Sequence, residues 1–356
     1  MPIAKRSKIR ADVLKVMDEF QKIQTRGVFK YLRINKESDF DFLSLWKKVM
    51  RANNQFFNRK KEKEELFSLL SREEMRFLAM VLRYSFDFTA KINEKKYPIP
   101  EDVKIETTDA GGVPAEWQIA PDAVKDRVLL YIHGGGFVLG SPCSHRLFTV
   151  RLGQATKMRV LSIDYRLSPE NPHPAASEDC VTAYNWLISI GIKPENIIIA
   201  GDSAGGNLTL VTLIKLRNNG IFLPAGGIAL SPVTDLTATD DCWFQNAETD
   251  PILADIGIFW WLPAYLLEGA PSDPYVSPLF AELDGLPPVL LQVSTCEILY
   301  SDSVRFVEKA KASGVNATLQ EWDDMMHVFP HIGLYELPEA EEAINKIAEF
   351  IQKLFS

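Results

Sequence analysis

Short, unbroken apolar segments recur along most of the chain after residue 114, and they alternate with segments of helical periodicity. A strand that is apolar on both faces needs a covering layer on each side, as strands in parallel sheets do. Strands that alternate with helices predict an α/β fold, a mostly parallel sheet with helices on both faces. The predicted strands are residues 115–119, 128–132, 159–164, 197–200, 227–230, 289–293 and 317–321.

The first 95 residues differ, because helical periodicity runs through them without strand-like segments. Ser71 and Glu74 have the spacing of a capping box, in which each side chain satisfies a free amide at a helix start. Pro98 and Pro100 end this region, because proline interrupts a helix. We predict that residues 1–95 form a helical segment and residues 96–356 an α/β domain.

Charge divides the chain near the same place. Residues 1–100 contain 23 Lys and Arg against 13 Asp and Glu, whereas the rest contains 16 against 34. Opposite signs in two parts of a chain indicate two structural units. Because the basic residues are scattered among apolar ones, we favour a helical segment docked on an acidic body over a nucleic-acid or anionic-lipid site.

Composition and cysteine usage exclude several classes of protein. With 46% hydrophobic and 24% charged residues, the chain is globular rather than disordered or fibrous. Cys143, Cys180, Cys242 and Cys296 lie far apart, without C-x-x-C pairs or histidines at zinc-ligand spacing, so we expect no metal site and a reducing compartment. The sequence has no apolar leader core and no 18-residue apolar stretch, which predicts a cytoplasmic chain.

A serine between glycines is the first candidate for chemistry. Residues 201–205 read G-D-S-A-G, directly after the predicted strand 197–200 and before a helical segment. The G-x-S-x-G pattern alone is weak evidence, but a strand, a sharp turn and a helix together are the setting of a nucleophile elbow. Ser203 is therefore the predicted nucleophile.

A glycine-rich loop follows another predicted strand, where residues 133–137 read H-G-G-G-F. Three glycines in a row are expected where free amides or a close approach are needed, although a flexible turn would also use them. In acyl-transfer enzymes such a loop supplies oxyanion-hole amides together with the amide after the nucleophile, here Ala204. No phosphate-loop pattern occurs in the chain, and His133 is expected to hold the loop.

An elbow of this type is followed along the chain by an acid and then a base. Of the five histidines only His327 and His331 come late enough, and His327 is favoured because it lies just past the last predicted strand. Glu297 is the first carboxylate after strand 289–293 and would orient the histidine. Asp302 is the alternative acid, although we expect it to cap the following helix.

Five motifs in this order resemble the hormone-sensitive-lipase-like α/β-hydrolases, also called bacterial family IV esterases, of the GDSAG type. The resemblance covers about residues 100–350. The matching stretches are HGGGF at 133–137, DYRLSPENPHPAA at 164–176, GDSAGG at 201–206, SPLFAELDGLPPVLLQVSTCEILYSDS at 277–303 and WDDMMHVF at 322–329.

The resemblance implies an α/β-hydrolase fold with Ser203 as nucleophile and His327 as base. It implies an oxyanion hole formed by the amides of Gly135, Gly136 and Ala204. It also implies a helical cap, built from an N-terminal segment and an insertion late in the sheet. Residues 1–95 and 238–275 would fill those places.

The chain departs from the family at the acid. The commonest family pattern has aspartate followed by proline, whereas this chain has Glu297 followed by Ile298. Glutamate is one methylene longer than aspartate. Of the three triad residues, the acid is therefore the one whose assignment departs from the family pattern.

The expected function is that of a serine carboxylesterase, which hydrolyses short- to medium-chain acyl esters through an acyl-enzyme and needs no cofactor. An acetyl-ester, lactone or amide hydrolase would use the same site with a different pocket. A non-catalytic binding module of the gibberellin-receptor type shares the scaffold without the base, and His327 argues against it. A dehydrogenase is disfavoured because no G-x-G-x-x-G follows the first strand.

The expected partner is a small-molecule ester. We expect no nucleic acid and no integral membrane contact. The basic segment or an edge strand could mediate a homodimer.

Overall fold

The computed structural model describes residues 9–35, 40–58, 68–256, 258–267 and 269–356. In these ranges the strands form one eight-stranded sheet with the order β1-β2-β4-β3-β5-β6-β7-β8. The strands are β1 (Lys104–Asp109), β2 (Pro114–Ile119), β3 (Val124–Ile132), β4 (Met158–Ile163), β5 (Ile197–Asp202), β6 (Gly226–Leu230), β7 (Val289–Ser294) and β8 (Ala317–Trp322). From β3 to β8 all neighbours are parallel, whereas β2 pairs antiparallel with β1 and with β4. The predicted α/β fold with a mostly parallel sheet is confirmed.

Helices connect these strands and precede the sheet. They are α1 (Ala11–Ile34), α2 (Phe42–Phe57), α3 (Arg72–Lys96), α4 (Pro142–Thr156), α5 (Ala175–Ser189), α6 (Ala204–Asn218), α7 (Asp241–Gln245), α8 (Leu253–Ile256), α9 (Ile258–Leu266), α10 (Tyr300–Ala312), α11 (Phe329–Ile332) and α12 (Pro338–Leu354). Within the described ranges, none of them is both long enough and apolar enough to cross a membrane.

The apolar strands are buried on both faces because two separate hydrophobic layers cover the sheet. Successive residues of β3 alternate between them: Leu129 and Tyr131 belong to one layer, Leu130 and Ile132 to the other. All four are fully buried. Burying one such side chain stabilises the fold by about 1.5–3 kcal/mol. Because side chains on both faces of β3 are buried, both faces contribute to stability, and the strand must be apolar at every buried position.

Strand β1 was not predicted. Its sequence KIETTD has no apolar run, and none of its residues is buried. It lies at the sheet edge and pairs only with β2, so no covering layer demands hydrophobic residues there.

The N-terminal helices pack on one another and on the α/β domain. The predicted capping box is confirmed, because the Glu74 amide donates to Ser71 Oγ at 3.1 Å and the Ser71 amide donates to Glu74 Oε2 at 2.7 Å. Helix α1 lies along α3, and α2 packs against α8 and α9, which belong to the segment 238–275 that the resemblance assigns to a cap. Of the segment 1–95, residues 1–8, 36–39 and 59–67 lie outside the described residues.

Candidate active site

The three predicted triad residues follow the carboxyl ends of parallel strands. Ser203 comes directly after β5, Glu297 three residues after β7, and His327 five residues after β8. The strand register aligns these ends, since Asp202 pairs with Leu230 of β6, and the last residues of β7 and β8 pair with each other. All three side chains therefore lie at the carboxyl-terminal end of the parallel strands.

Ser203 occupies a strained turn between β5 and α6. Its φ of 53° and ψ of −117° lie where residues other than glycine are seldom found. Its amide donates to the carbonyl of Leu230 at 2.7 Å, which ties the turn to β6. A Cβ on Gly205 would lie 2.0 Å from the carbonyl oxygen of Ile132, so only glycine allows α6 to begin so close to β3. The strain and the close packing hold the serine at the positive end of α6.

His327 and Glu297 form a buried pair. His327 Nδ1 lies 2.5 Å from Glu297 Oε2. The other carboxylate oxygen, Oε1, accepts hydrogen bonds from Ser231 Oγ at 2.7 Å and from the Ser294 amide at 2.8 Å. Among the described residues the Ser203 hydroxyl makes no hydrogen bond, so it is not bonded to His327. A hydrogen bond between a nucleophile and its base is often long in a free enzyme and shortens when substrate binds.

The pair raises the pKa of His327 above its usual 6.5. Burial alone would lower this pKa, but the charge of Glu297 and its hydrogen bond to the ring outweigh burial. The charge of Asp250, which precedes α8, also raises the pKa of His327. The Glu297 carboxylate therefore favours the imidazolium, the form that His327 must adopt when it takes a proton.

Asp250 has a position at this site that sequence reasoning missed. Its carboxylate accepts hydrogen bonds from the amides of Ile252 and Leu253, at 2.9 and 2.8 Å, and from the Ile298 amide at 3.0 Å. Burial raises its pKa to about 6. It thereby fastens the segment 250–253 to the residue that follows Glu297. The sequence Asp250-Pro251 before two apolar residues could have indicated a local turn. It could not have indicated that Asp250 also bonds to the distant Ile298 amide.

Asp302 lies elsewhere and does not pair with His327. Its Oδ2 accepts from the amides of Thr234 and Asp235 at 2.7 and 2.8 Å, and its Oδ1 from Trp243 Nε1 at 3.2 Å. Burial raises its pKa to about 7. The expectation that it caps the helix is wrong, because α10 begins at Tyr300 and the carboxylate instead holds the loop after β6.

The loop 133–140, called the oxyanion loop after its predicted role, carries unpaired amides. Gly135 and Gly136 have φ of 118° and 61°. Among the described residues, the amides of Gly135, Gly136 and Ala204 have no hydrogen-bond partner. Backbone N–H groups left free beside a nucleophile are the donors that an oxyanion requires.

Asp202 holds the inner side of this loop. Its Oδ1 accepts from the Gly134 amide at 3.0 Å and from the Tyr131 hydroxyl at 2.6 Å, and its Oδ2 lies 3.3 Å from His145 Nε2. A Cβ on Gly134 would lie 2.2 Å from the same carboxylate, so glycine is required there. Burial would raise the pKa of Asp202, but the charge of His145 and these hydrogen bonds hold it well below its usual range.

Three further histidines, His133, His145 and His331, contact one another at the base of the oxyanion loop. Burial lowers the pKa of both His133 and His331 to about 3, so these rings are neutral at physiological pH. His133 stacks on Tyr165, with ring centroids 4.3 Å apart, and its carbonyl accepts from the Tyr165 hydroxyl. His331 packs against His145 with ring centroids 4.3 Å apart and the two planes tilted by 33°. His133 thus supports the loop, and His331 is a packing residue.

One group in the described part of the chain has the composition of a metal site. Potential ligand atoms of His145, Asp202 and His331 lie within 4.8 Å of one another. The polar atoms of this group bond to the protein, since His145 also contacts Ser144 Oγ at 2.9 Å and His331 Nε2 contacts the Ser144 carbonyl at 3.3 Å. These hydrogen bonds explain the group: its side chains bond to one another and to the protein, and through Asp202 they support the oxyanion loop.

Comparison with known proteins adds independent findings. A family model described as the alpha/beta hydrolase fold matches residues 129–331. An esterase of Acinetobacter venetianus is 39% identical over 259 residues, which are 72% of this chain and 85% of that protein. An acetyl-hydrolase of Streptomyces hygroscopicus is 38% identical over 242 residues, 68% of this chain and 80% of that protein. A crystal structure of an esterase from the bacterial hormone-sensitive lipase family matches this chain with a TM-score of 0.75 at 38% identity. The matched region covers 87% of this chain and 98% of that esterase.

Proposed function

The chain belongs to the α/β-hydrolase fold family, among its hormone-sensitive-lipase-like esterases, and we propose that Ser203, Glu297 and His327 are its catalytic triad. Its activity is the hydrolysis of carboxylic esters. The observation that carries the triad is the buried pair of His327 and Glu297, 2.5 Å apart, at the sheet edge where Ser203 follows β5. No other carboxylate of the described residues is hydrogen-bonded to His327.

The first half-reaction forms an acyl-enzyme. Ser203 Oγ attacks the ester carbonyl while His327 takes the hydroxyl proton, and Glu297 stabilises the imidazolium that results. His327 then donates this proton to the leaving alcohol. In the second half-reaction His327 activates a water that attacks the acyl-enzyme and releases the acid. Ser203 thereby regains its proton.

The negative oxygen of each tetrahedral intermediate accepts hydrogen bonds from the free amides of Gly135 and Gly136 in the oxyanion loop and of Ala204 at the start of α6. Preorganised donors of this kind each contribute roughly 100- to 1,000-fold to the rate, because they strengthen as charge develops in the transition state.

We propose that the segment 1–95 and the insertion 238–275 form a cap over this site, and that the substrates are short- to medium-chain acyl esters. In support, Trp261 of α9 lies against the oxyanion loop: a Cβ on Gly136 would be 3.2 Å from its ring. Phe137 stacks on Tyr265 of the same helix, with ring centroids 3.7 Å apart. Aromatic rings packed this closely on the oxyanion loop support a compact apolar site for the acyl group.

A more specific second candidate is an acetyl-ester hydrolase. The relative from Streptomyces hygroscopicus is named an acetyl-hydrolase, and the nearness of Trp261 to Gly136 favours a short acyl group. Both candidates use the same triad and differ only in the length of the acyl pocket.

We further propose that the protein acts on a small-molecule ester in the cytoplasm, without nucleic acid and without an integral membrane contact. All four cysteines are free thiols, a state that is usual in a reducing compartment. Two copies of the chain could pair through the free edge of β8.

Hydrolysis of p-nitrophenyl esters from acetate to laurate tests these proposals. We expect the wild type to prefer short chains, and Ser203→Ala to lose about 10⁴-fold or more in kcat with an unchanged melting temperature. Ser313→Ala, which alters a serine at the end of α10, serves as the matched control and should behave as the wild type. A folded Ser203→Ala variant that retains wild-type turnover would refute the nucleophile, and a preference for laurate would refute the compact pocket.

A further inference from the structure

One face of α3 contacts the outer side of the oxyanion loop. Arg83 Nε donates to the carbonyl oxygen of Val138 at 2.7 Å, and Arg83 Nη2 donates to the carbonyl oxygen of Ser168 at 2.7 Å. One helical turn further along α3, Asp87 Oδ1 accepts from Ser141 Oγ at 2.9 Å. The N-terminal helix thus bonds both to the loop and to the residue that caps the next helix, α4.

The guanidinium of Arg83 is held in a single orientation. Its two terminal nitrogens donate to the Glu170 carboxylate at 3.1 and 2.8 Å, while Nε and Nη2 bond to the two carbonyls. The planar fork of an arginine can make these bonds at once, which a lysine cannot. The Ser168 amide donates in turn to the Phe137 carbonyl at 2.9 Å, so the two segments that Arg83 contacts are also bonded to each other.

The oxyanion loop needs such external support. Glycine loses more conformational freedom on folding than any other residue, so three consecutive glycines hold their own conformation weakly. The amides must nevertheless be aimed at the developing oxyanion within about half an ångström. Asp202 fixes the loop at the Gly134 amide, whereas the Val138 carbonyl is fixed by Arg83 of α3.

We propose that Arg83, oriented by Glu170, is a positioning residue for the oxyanion hole. It acts through the Val138 carbonyl, and it makes an N-terminal helix part of the catalytic apparatus of the α/β domain. The inference rests on the proposed function, because it concerns the donors that stabilise the oxyanion at Ser203.

The test compares Arg83→Met, Arg83→Lys and Glu170→Gln on p-nitrophenyl butyrate. We expect Arg83→Met to lower kcat about 10- to 100-fold, the range that one or two lost hydrogen bonds to a charged group represent. KM should stay within about threefold, because oxyanion donors act in the transition state more than on the bound ester. Arg83→Lys, which keeps one donor group, and Glu170→Gln should give intermediate values of kcat.

Two readouts separate positioning from a general structural role. An alkylboronic acid forms a tetrahedral adduct on the serine, so its inhibition constant should rise by the same factor by which kcat falls. The pH midpoint of kcat/KM should not move, because Arg83 does not contact His327. A weaker boronate with an unchanged pH midpoint supports the proposal, whereas unchanged boronate binding refutes it.

Two variants on the same helix serve as controls. Lys91→Met removes an exposed charge from α3. Ser85→Ala removes the hydroxyl that donates to the Gln24 carbonyl at 2.6 Å, and should therefore loosen α1 on α3 without reaching the loop. Both should keep wild-type kcat, and Ser85→Ala should lower the melting temperature. An equal fall of kcat in Ser85→Ala and Arg83→Met would refute the inference.

Failure of the inference is distinguishable from failure of the proposed function. Wild-type hydrolysis that depends on Ser203, together with full kcat in Arg83→Met, refutes only the role of Arg83. Absence of Ser203-dependent hydrolysis refutes the function. If Arg83→Met does not fold, Arg83→Lys and Glu170→Gln decide: a lower kcat at an unchanged melting temperature supports positioning, and full kcat in both refutes it.

Discussion

Glu297→Gln keeps the size of the acid and removes its charge. In the structure Glu297 Oε1 accepts from the Ser294 amide at 2.8 Å and from Ser231 Oγ at 2.7 Å. A glutamine can receive the Ser294 amide only with its carbonyl oxygen, because its own nitrogen is a donor. Its NH₂ group then takes the place of Oε2, which lies 2.5 Å from His327 Nδ1.

This arrangement puts the proton of the histidine on the wrong nitrogen. An NH₂ group that faces Nδ1 requires Nδ1 to accept, so the neutral ring carries its proton on Nε2. That nitrogen is the one that must accept the proton of Ser203. A wrong tautomer and a missing charge lower the turnover of serine hydrolases by about 10⁴-fold, or about 5 kcal/mol of transition-state stabilisation.

The assay is kcat/KM for p-nitrophenyl butyrate from about pH 5 to pH 9. Glu297→Asp, which keeps the charge, should lose much less activity than Glu297→Gln. Asp302→Asn is the matched control, since its carbonyl can still accept from the amides of Thr234 and Asp235. Activity of Glu297→Gln within tenfold of the wild type, or a larger loss in Asp302→Asn, would contradict the assignment of the acid.

Two further predictions follow from the same site. Because Glu297 raises the pKa of His327 above 6.5 and only the neutral ring accepts a proton, wild-type kcat/KM should rise with pH through a midpoint above 6.5; a pH–rate profile with a lower midpoint would contradict the coupling. Trp261→Ala should open the space beside Gly136 and raise the ratio of kcat/KM for octanoate over butyrate by about tenfold, roughly the discrimination of one methylene. An unchanged ratio would remove Trp261 from the acyl pocket.

The central sheet and the placement of the candidate triad residues could be predicted because both depend on local sequence patterns. A strand buried on two faces shows itself as an apolar run, and the carboxyl ends of parallel strands share one edge of the sheet. A residue's distance past its strand was therefore enough to favour His327 over His331 and Glu297 over Asp302. The structure pairs the two favoured residues, and it gives Asp302 partners of its own.

The supports of the site could not be predicted, because their partners are distant in sequence. Asp302 bonds to amides 67 and 68 residues away, and Asp250 to an amide 48 residues away. No spacing rule connects a carboxylate with such an amide, so Asp302 was interpreted from its neighbours as a helix cap. Strand β1 was missed for the opposite reason, since its exposed edge position places no demand on its composition.

These distant bonds also give the helices before the sheet and the segment 238–275 a role in holding the candidate site. A glycine loop that exposes free amides cannot bond those amides to the body of the protein, so its rigidity must come from its other groups. Asp202 binds the Gly134 amide from within, and Arg83 binds the Val138 carbonyl from α3. On the acid side Asp250 ties the insertion to the Ile298 amide, next to Glu297. Replacement of α3 or of the segment 238–275 should therefore alter the turnover of a given ester as well as the choice among esters, because the segments proposed to cap the site also bond to the loop 133–140 and to the residue after Glu297.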